Sequence, residues 1–115
     1  MKITLTGTPA TTNTLYRSHC KFGHPVVYMT AKGKDLKEQY YYEIKNQWKE
    51  EMRTTAKIDI TFYFGNKRKN DIDNFTKLIL DSLENIVIVD DSRITDLNLH
   101  KRLDVKNPRI EINVI

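Results

Sequence analysis

The sequence is poor in cysteine, proline and glycine, and each shortage removes a class of protein. One cysteine, Cys20, stands among 115 residues, so no intrachain disulfide can form and a reducing, intracellular setting is expected. His19 adjoins Cys20 and His24 lies nearby, but a zinc site needs a fourth ligand at a usual spacing and the sequence has none. A single neighbouring histidine does not make the thiol a nucleophile either. No apolar run approaches the roughly 20 residues of a membrane span, and the opening Met1–Thr6 alternates apolar with polar. A glycine-rich phosphate loop, an internal repeat and a low-complexity tract are also missing. These absences lead to the expectation of a cytoplasmic protein with no membrane partner.

What is present fits one core, so residues 1–115 are expected to form a single domain. Apolar residues make up 39% and charged residues 30%, which leaves little surplus core, and a chain of this kind often enlarges its core by dimerising. The formal charge of +4 and the pI near 9.2 suit a polyanionic partner, though many other proteins share them.

Alternation predicts strands at Lys2–Gly7, Pro25–Met29, Ile58–Phe64, Arg93–Lys101 and Arg109–Ile115. Leu36, Tyr40, Ile44, Trp48 and Met52 recur every four residues and predict a helix from Ala31 to Arg53, capped by Thr30. Its mixed-sign lysines and acids read as a solvated face, and Tyr40–Tyr42 as core and rim. A second helix is expected from about Asp73 or Asn74, with Phe75, Leu78, Ile79 and Leu83 inward. Residues 13–23 read as a loop, either a plain solvated connection or a contact to a nucleic-acid backbone through Tyr16, Arg17 and Lys21. The expected fold class is α+β, a single mixed β-sheet with two main helices packed on it and a hairpin from the last two strands.

The chemistry concentrates in Asn70-Asp71-Ile72-Asp73-Asn74-Phe75-Thr76-Lys77 and, about a helix length later, Asp90-Asp91. Carboxylates two apart point the same way on extended chain, and a second acidic pair at a strand start can close the site. A hard divalent cation needs such oxygen ligands. Lys67-Arg68-Lys69 precedes them, a run suited to drawing in phosphates. Lys77 lies one helical turn after Asp73 and can reach a phosphate or form a surface ion pair with Asp73 or Asp81. Asp73 or Asn74 can also serve merely as a helix cap. The combination, more than any one motif, points to metal-assisted phosphoryl transfer.

Asp71-Ile72-Asp73-Asn74-Phe75-x-Lys77-x-x-x-Asp81-x-Leu83, followed by Val89-Asp90-Asp91-x-x-Ile94, resembles the RusA family of Holliday junction resolvases. Pro9, Asn13, Tyr16, Arg17 and Met29–Gly33 extend the likeness more loosely across the chain. Asn70 interrupts the basic run, and Asn85–Ile88 replaces a turn that often holds an aromatic or glycine. The resemblance implies a homodimeric, magnesium-dependent endonuclease, with manganese able to substitute. It would nick opposed strands of four-way junction DNA symmetrically, in recombination and repair. It implies Asp71, Asp73 and Asp91 as metal-binding catalytic carboxylates, Lys77 as a catalytic or phosphate-contacting lysine and Asp90 as a supporting acid. By the resemblance Asn74 would orient the loop, and with Lys67, Arg68, Lys69, Arg17 and Tyr16 it is expected to bind DNA. Two other readings compete with it: a catalytically silent dimer that binds branched DNA, and a nuclease for flaps and forks.

Overall fold

The computed structural model describes residues 1–67 and 71–115, Lys21 in its backbone alone. In chain order it contains β1 (Lys2–Thr6), α1 (Thr12–Leu15), β2 (Tyr16–Lys21), β3 (His24–Met29), α2 (Ala31–Gln47) and β4 (Ala56–Phe64). A 3-10 turn (Ile72–Phe75), α3 (Lys77–Leu83), a second 3-10 turn (Asp91–Arg93), β5 (Ile94–Leu103) and β6 (Arg109–Val114) follow. The fold is α+β. Four strands form a mixed sheet in the order β1-β6-β4-β5, with β4 and β5 parallel and the other pairs antiparallel. Among the described residues, no helix is long and apolar enough to cross a membrane.

Alternation fixes which face of that sheet is buried. Ile58, Ile60, Phe62 and Phe64 of β4 point inward with Ile3, Leu5, Ile110, Ile112 and Val114. Tyr40 and Ile44 of α2, and Leu78, Ile79 and Leu83 of α3, close over them. Thr30 caps α2 as expected, its Oγ1 accepting from Gly33 N at 3.1 Å. The side chains of α2 also cover the outer edge of β1. Gln47 bonds Thr4 N and O, both at 2.8 Å, and Glu43 Oε2 accepts from Thr6 N at 2.9 Å.

Four expectations are corrected. The sheet is not single: the expected strand at Pro25–Met29 is present as β3, but it pairs with β2, which lies in the region read as loop, to form a separate two-stranded hairpin. Every described residue from Arg17 to Tyr28 is exposed, so no burial imposes a period on the sequence. Phe22 (φ 53°) and Gly23 (φ 76°) make its two-residue turn, both in the left-handed region such tight hairpins use. The last two strands are not a hairpin, because β4 lies between β5 and β6. The connection steps over the end of β4, where Asp104 N donates to Phe64 O at 2.8 Å. The long helix ends at Gln47, not Arg53. Trp48 leaves helical geometry (φ −82°, ψ 111°), and the Arg53 backbone instead bonds Val87 O at 2.7 Å and Val89 N at 3.3 Å. The second helix begins at Lys77, preceded by the 3-10 turn, and not at Asp73 or Asn74.

Candidate active site

The end of β4 delivers the chain towards Asp71. Phe75 is then buried against Phe62 and Phe64, ring centroids 5.9 and 5.1 Å away, and this anchors the 3-10 turn that carries the acids. Asp71 occupies the N-cap position and Asp73 the first turn, both exposed. Neither this turn nor α3 is capped by a side chain, so capping does not account for these carboxylates. The backbone around them is held: Asn74 N donates to Asp71 O at 3.0 Å, Thr76 Oγ1 to Asp73 O at 3.0 Å, and Thr12 Oγ1 to Asn74 O at 2.8 Å.

One turn further, α3 presents Asp81 and ends at Leu83. Asn85, at φ 65°, reverses the chain, and the Arg53 bridge holds Val87–Val89 so that Asp91 returns beside the helix end. There Asp81, Glu84 and Asp91 each place a carboxylate oxygen within 4.8 Å of the others. Asp91 N donates to Glu84 Oε1 at 3.3 Å. Tyr16, at the base of the hairpin, donates its hydroxyl to Asp81 Oδ2 at 2.6 Å. Lys77 Nζ lies 3.6 Å from the same oxygen and 4.9 Å from the Tyr16 ring centroid.

The protonation pattern follows from this crowding. Partial desolvation raises the Glu84 pKa above its usual value, and the charges of Asp91, Asp81 and Asp90 add to the rise against the lowering bond from Asp91 N. Burial, then the Asp81 hydrogen bond and charge, push the Tyr16 phenol well above its usual range, so it stays a donor. Asp90 is lowered, chiefly by Ser92 N, which donates to its Oδ1 at 3.2 Å. That bond caps the second 3-10 turn and gives Asp90 a structural task beside Asp91.

Of the residues read from sequence, Asp91 enters the carboxylate cluster, and Lys77 and Tyr16 lean on it. Asp71 and Asp73 stand outside it on the preceding 3-10 turn. Lys67 is exposed after β4, and Arg17 is exposed on β2 opposite Tyr28 in register. Arg68 and Lys69 lie outside the described residues. Sequence reasoning missed Glu84 entirely. The Asp81-x-x-Glu84 spacing, which puts two acids on one helical face, was the available signal.

An all-oxygen donor set with mutual repulsion suits a hard divalent cation. A family model described as "Endodeoxyribonuclease RusA" matches residues 6–115. No curated protein matches the chain.

Proposed function

This chain belongs to the RusA endodeoxyribonuclease family, and from that premise we propose that it resolves four-way DNA junctions by paired symmetric nicks. The observation that carries the reading is the meeting of Asp91 with Asp81 and Glu84 beside Lys77, one element away from Asp71 and Asp73. In this proposal Asp71, Asp73 and Asp91 hold magnesium, with manganese able to replace it, and Asp81 and Glu84 extend the oxygen set. The cation, when bound, supplies an activated water and offsets charge at phosphorus.

This chain's own residues do the rest. Tyr16 orients Asp81 by its hydrogen bond. Lys77, about half exposed, can turn from Asp81 to a non-bridging phosphate oxygen, where its charge counts most as the transition state forms. Lys67, Arg68, Lys69, Arg17 and Asn74 are assigned to the DNA backbone, so binding weakens steeply with salt.

Two sites related by two-fold symmetry suit a junction whose strands are so related, which calls for a homodimer. The sheet edges support it. The edge of β1 is covered by Glu43 and Gln47, whereas β5 is a ten-residue edge strand with Leu97 and Leu103 exposed. Two β5 strands laid antiparallel about Leu99 would set each Asp96 opposite an Arg102. Residues 1–115 act as one domain in this reading, and a bacterial or phage-encoded enzyme of this kind would meet its DNA in the cytoplasm.

The test is a nicking assay on a synthetic four-way junction, with magnesium and with chelator, beside linear duplex, flap and fork controls. Paired junction nicks that require magnesium are expected. Preferential cutting of flaps or forks would move the substrate assignment. Binding without nicks, across metals and several junction sequences, would replace the nuclease with a binding module.

A further inference from the structure

Lys34, Lys37, Tyr41 and Lys45 are spaced three, four and four residues apart, so they share one face of α2. The acids of this helix do not all dilute that face. Glu43 is turned to β1, where it bonds Thr6. Tyr40 is core at 1% exposed, whereas Tyr41 is 41% and Tyr42 56% exposed.

The position of the face is what gives it meaning. Lys37 and Tyr41 line a cleft of about 240 Å³ whose other wall is Asp81, Ser82, Glu84 and Asn85. The same two residues line an adjoining groove of about 500 Å³ with Met29, Lys34, Glu38 and Tyr42. Tyr41 and Lys37 therefore join the carboxylate site to a groove that runs towards the hairpin. Lys45 Nζ donates to the Tyr41 hydroxyl at 3.3 Å and lies 5.4 Å from its ring centroid, which steadies the ring. Tyr42 meets Tyr41 edge-on at 5.6 Å.

We propose that this face of α2 is the track for the DNA strand as it leaves the carboxylate site, with a base stacked on Tyr41 and backbone phosphates on Lys34, Lys37 and Lys45. The inference rests on the nuclease reading above and names the part of the substrate that the site grips. Lysines flanking exposed aromatics match a strand of phosphates and flat bases, and Glu38 is the acid that lines the same groove. Unpaired bases at the centre of a four-way junction are the ones available to stack.

The experiment uses a four-way junction carrying 2-aminopurine within three nucleotides of the nick, bound without divalent cation by the wild type, Tyr41→Leu, Tyr41→Trp and Lys37→Gln. Tyr41→Leu is expected to bind about 5- to 100-fold more weakly and to lose the wild-type fluorescence change, while Tyr41→Trp keeps both. Lys37→Gln is expected to reduce the slope of log affinity against log salt by about 0.7–0.9. Wild-type affinity and fluorescence change in Tyr41→Leu, together with an unaltered slope in Lys37→Gln, would overturn the track and leave the nuclease standing if both variants still nick with magnesium. A wild type that neither binds nor nicks junctions would remove the underlying reading, and the track with it.

Discussion

Two groups of carboxylates in this molecule are treated in opposite ways. On the open face of the sheet, Glu111 pairs with Lys2 and, at 2.7 Å, with Arg109 Nε, and Arg109 Nη1 bonds Asp104 at 2.7 Å. The same guanidinium stacks 3.8 Å over the Tyr63 ring. Glu111 and Asp104 each meet a cation, and their pKa values are lowered, first by hydrogen bonds from Lys2 and Arg109 respectively. At the end of α3 the acids face one another. Asp81, Glu84 and Asp91 crowd together, Lys77 offsets part of Asp81, and Glu84 is raised. The open face spends charge on holding the sheet together. The cleft holds charge at a cost to the fold, the pattern expected of a site that a cation and a phosphate would use.

The strongest way to break that contrast is to neutralise one acid in each region. Asp91→Asn is expected to lower junction cleavage about 100- to 1000-fold while junction binding persists, the scale of removing one preorganised charge partner. Glu111→Gln is expected to leave cleavage unchanged and lower the melting temperature. Normal cleavage by Asp91→Asn would end the claim that the cleft is the reactive region.

Next in size is Lys77→Gln. As an exposed i,i+4 ion pair with Asp81, Lys77 is worth only about 0.3–0.5 kcal/mol of stability. As a charge on the phosphate it is worth about 10- to 100-fold in cleavage rate. Single-turnover cleavage and thermal melts of the one variant separate the two roles, and a stability loss with full cleavage would return Lys77 to the surface. Arg109→Ala should then show the reverse pattern, a lower melting temperature with unchanged single-turnover cleavage, because its partners Asp104, Glu111 and Asn107 all lie away from the cleft.

This contrast also marks what the sequence could and could not disclose. β4, β6 and the first four turns of α2 were legible because burial on one face imposes a period of two or of 3.6. The strand β3 was read from Pro25–Met29, but its partner β2 and the pairing of the two were not, since the hairpin is wet on both sides. Met52 continues the apolar stripe of α2 by spacing alone; it is 43% exposed, and the backbone there has already turned to bond Val87 and Val89. Insertion of β4 between β5 and β6 is a pairing choice across the whole chain and leaves no local mark. The spacing of Asp71, Asp73, Lys77 and Asp91 announced acid and lysine chemistry. Nothing local joined Tyr16 to Asp81, 65 residues away. Glu84 was hidden because a lone glutamate at a helix end is ordinary until the chain folds Asp91 back onto it.

The smallest expected effect is also the one in which the two regions should differ in sign. A carboxyl whose pKa is raised by folding holds its proton more tightly in the folded state. For Glu84, both states are protonated well below its ordinary 4.5, and nothing is gained or lost. As pH climbs past 4.5 the unfolded chain ionises first, so stability falls until the folded group ionises as well. Glu84→Gln should therefore melt higher than wild type at neutral pH without divalent cation, and the two should converge in acid. Glu111 starts from the same ordinary value but is lowered by Lys2, so its contribution is present above 4.5 and lost as pH falls through the folded value. Glu111→Gln should melt lower than wild type at neutral pH and also converge in acid. Melting curves of both variants across that range give differences of opposite sign if desolvation and neighbouring charge hold Glu84 unfavourably in the cleft while Lys2 and Arg109 hold Glu111 favourably on the open face. Differences of the same sign would show that the cleft acids are held as comfortably as those of the sheet, and the case for a cation between them would lose its electrostatic support.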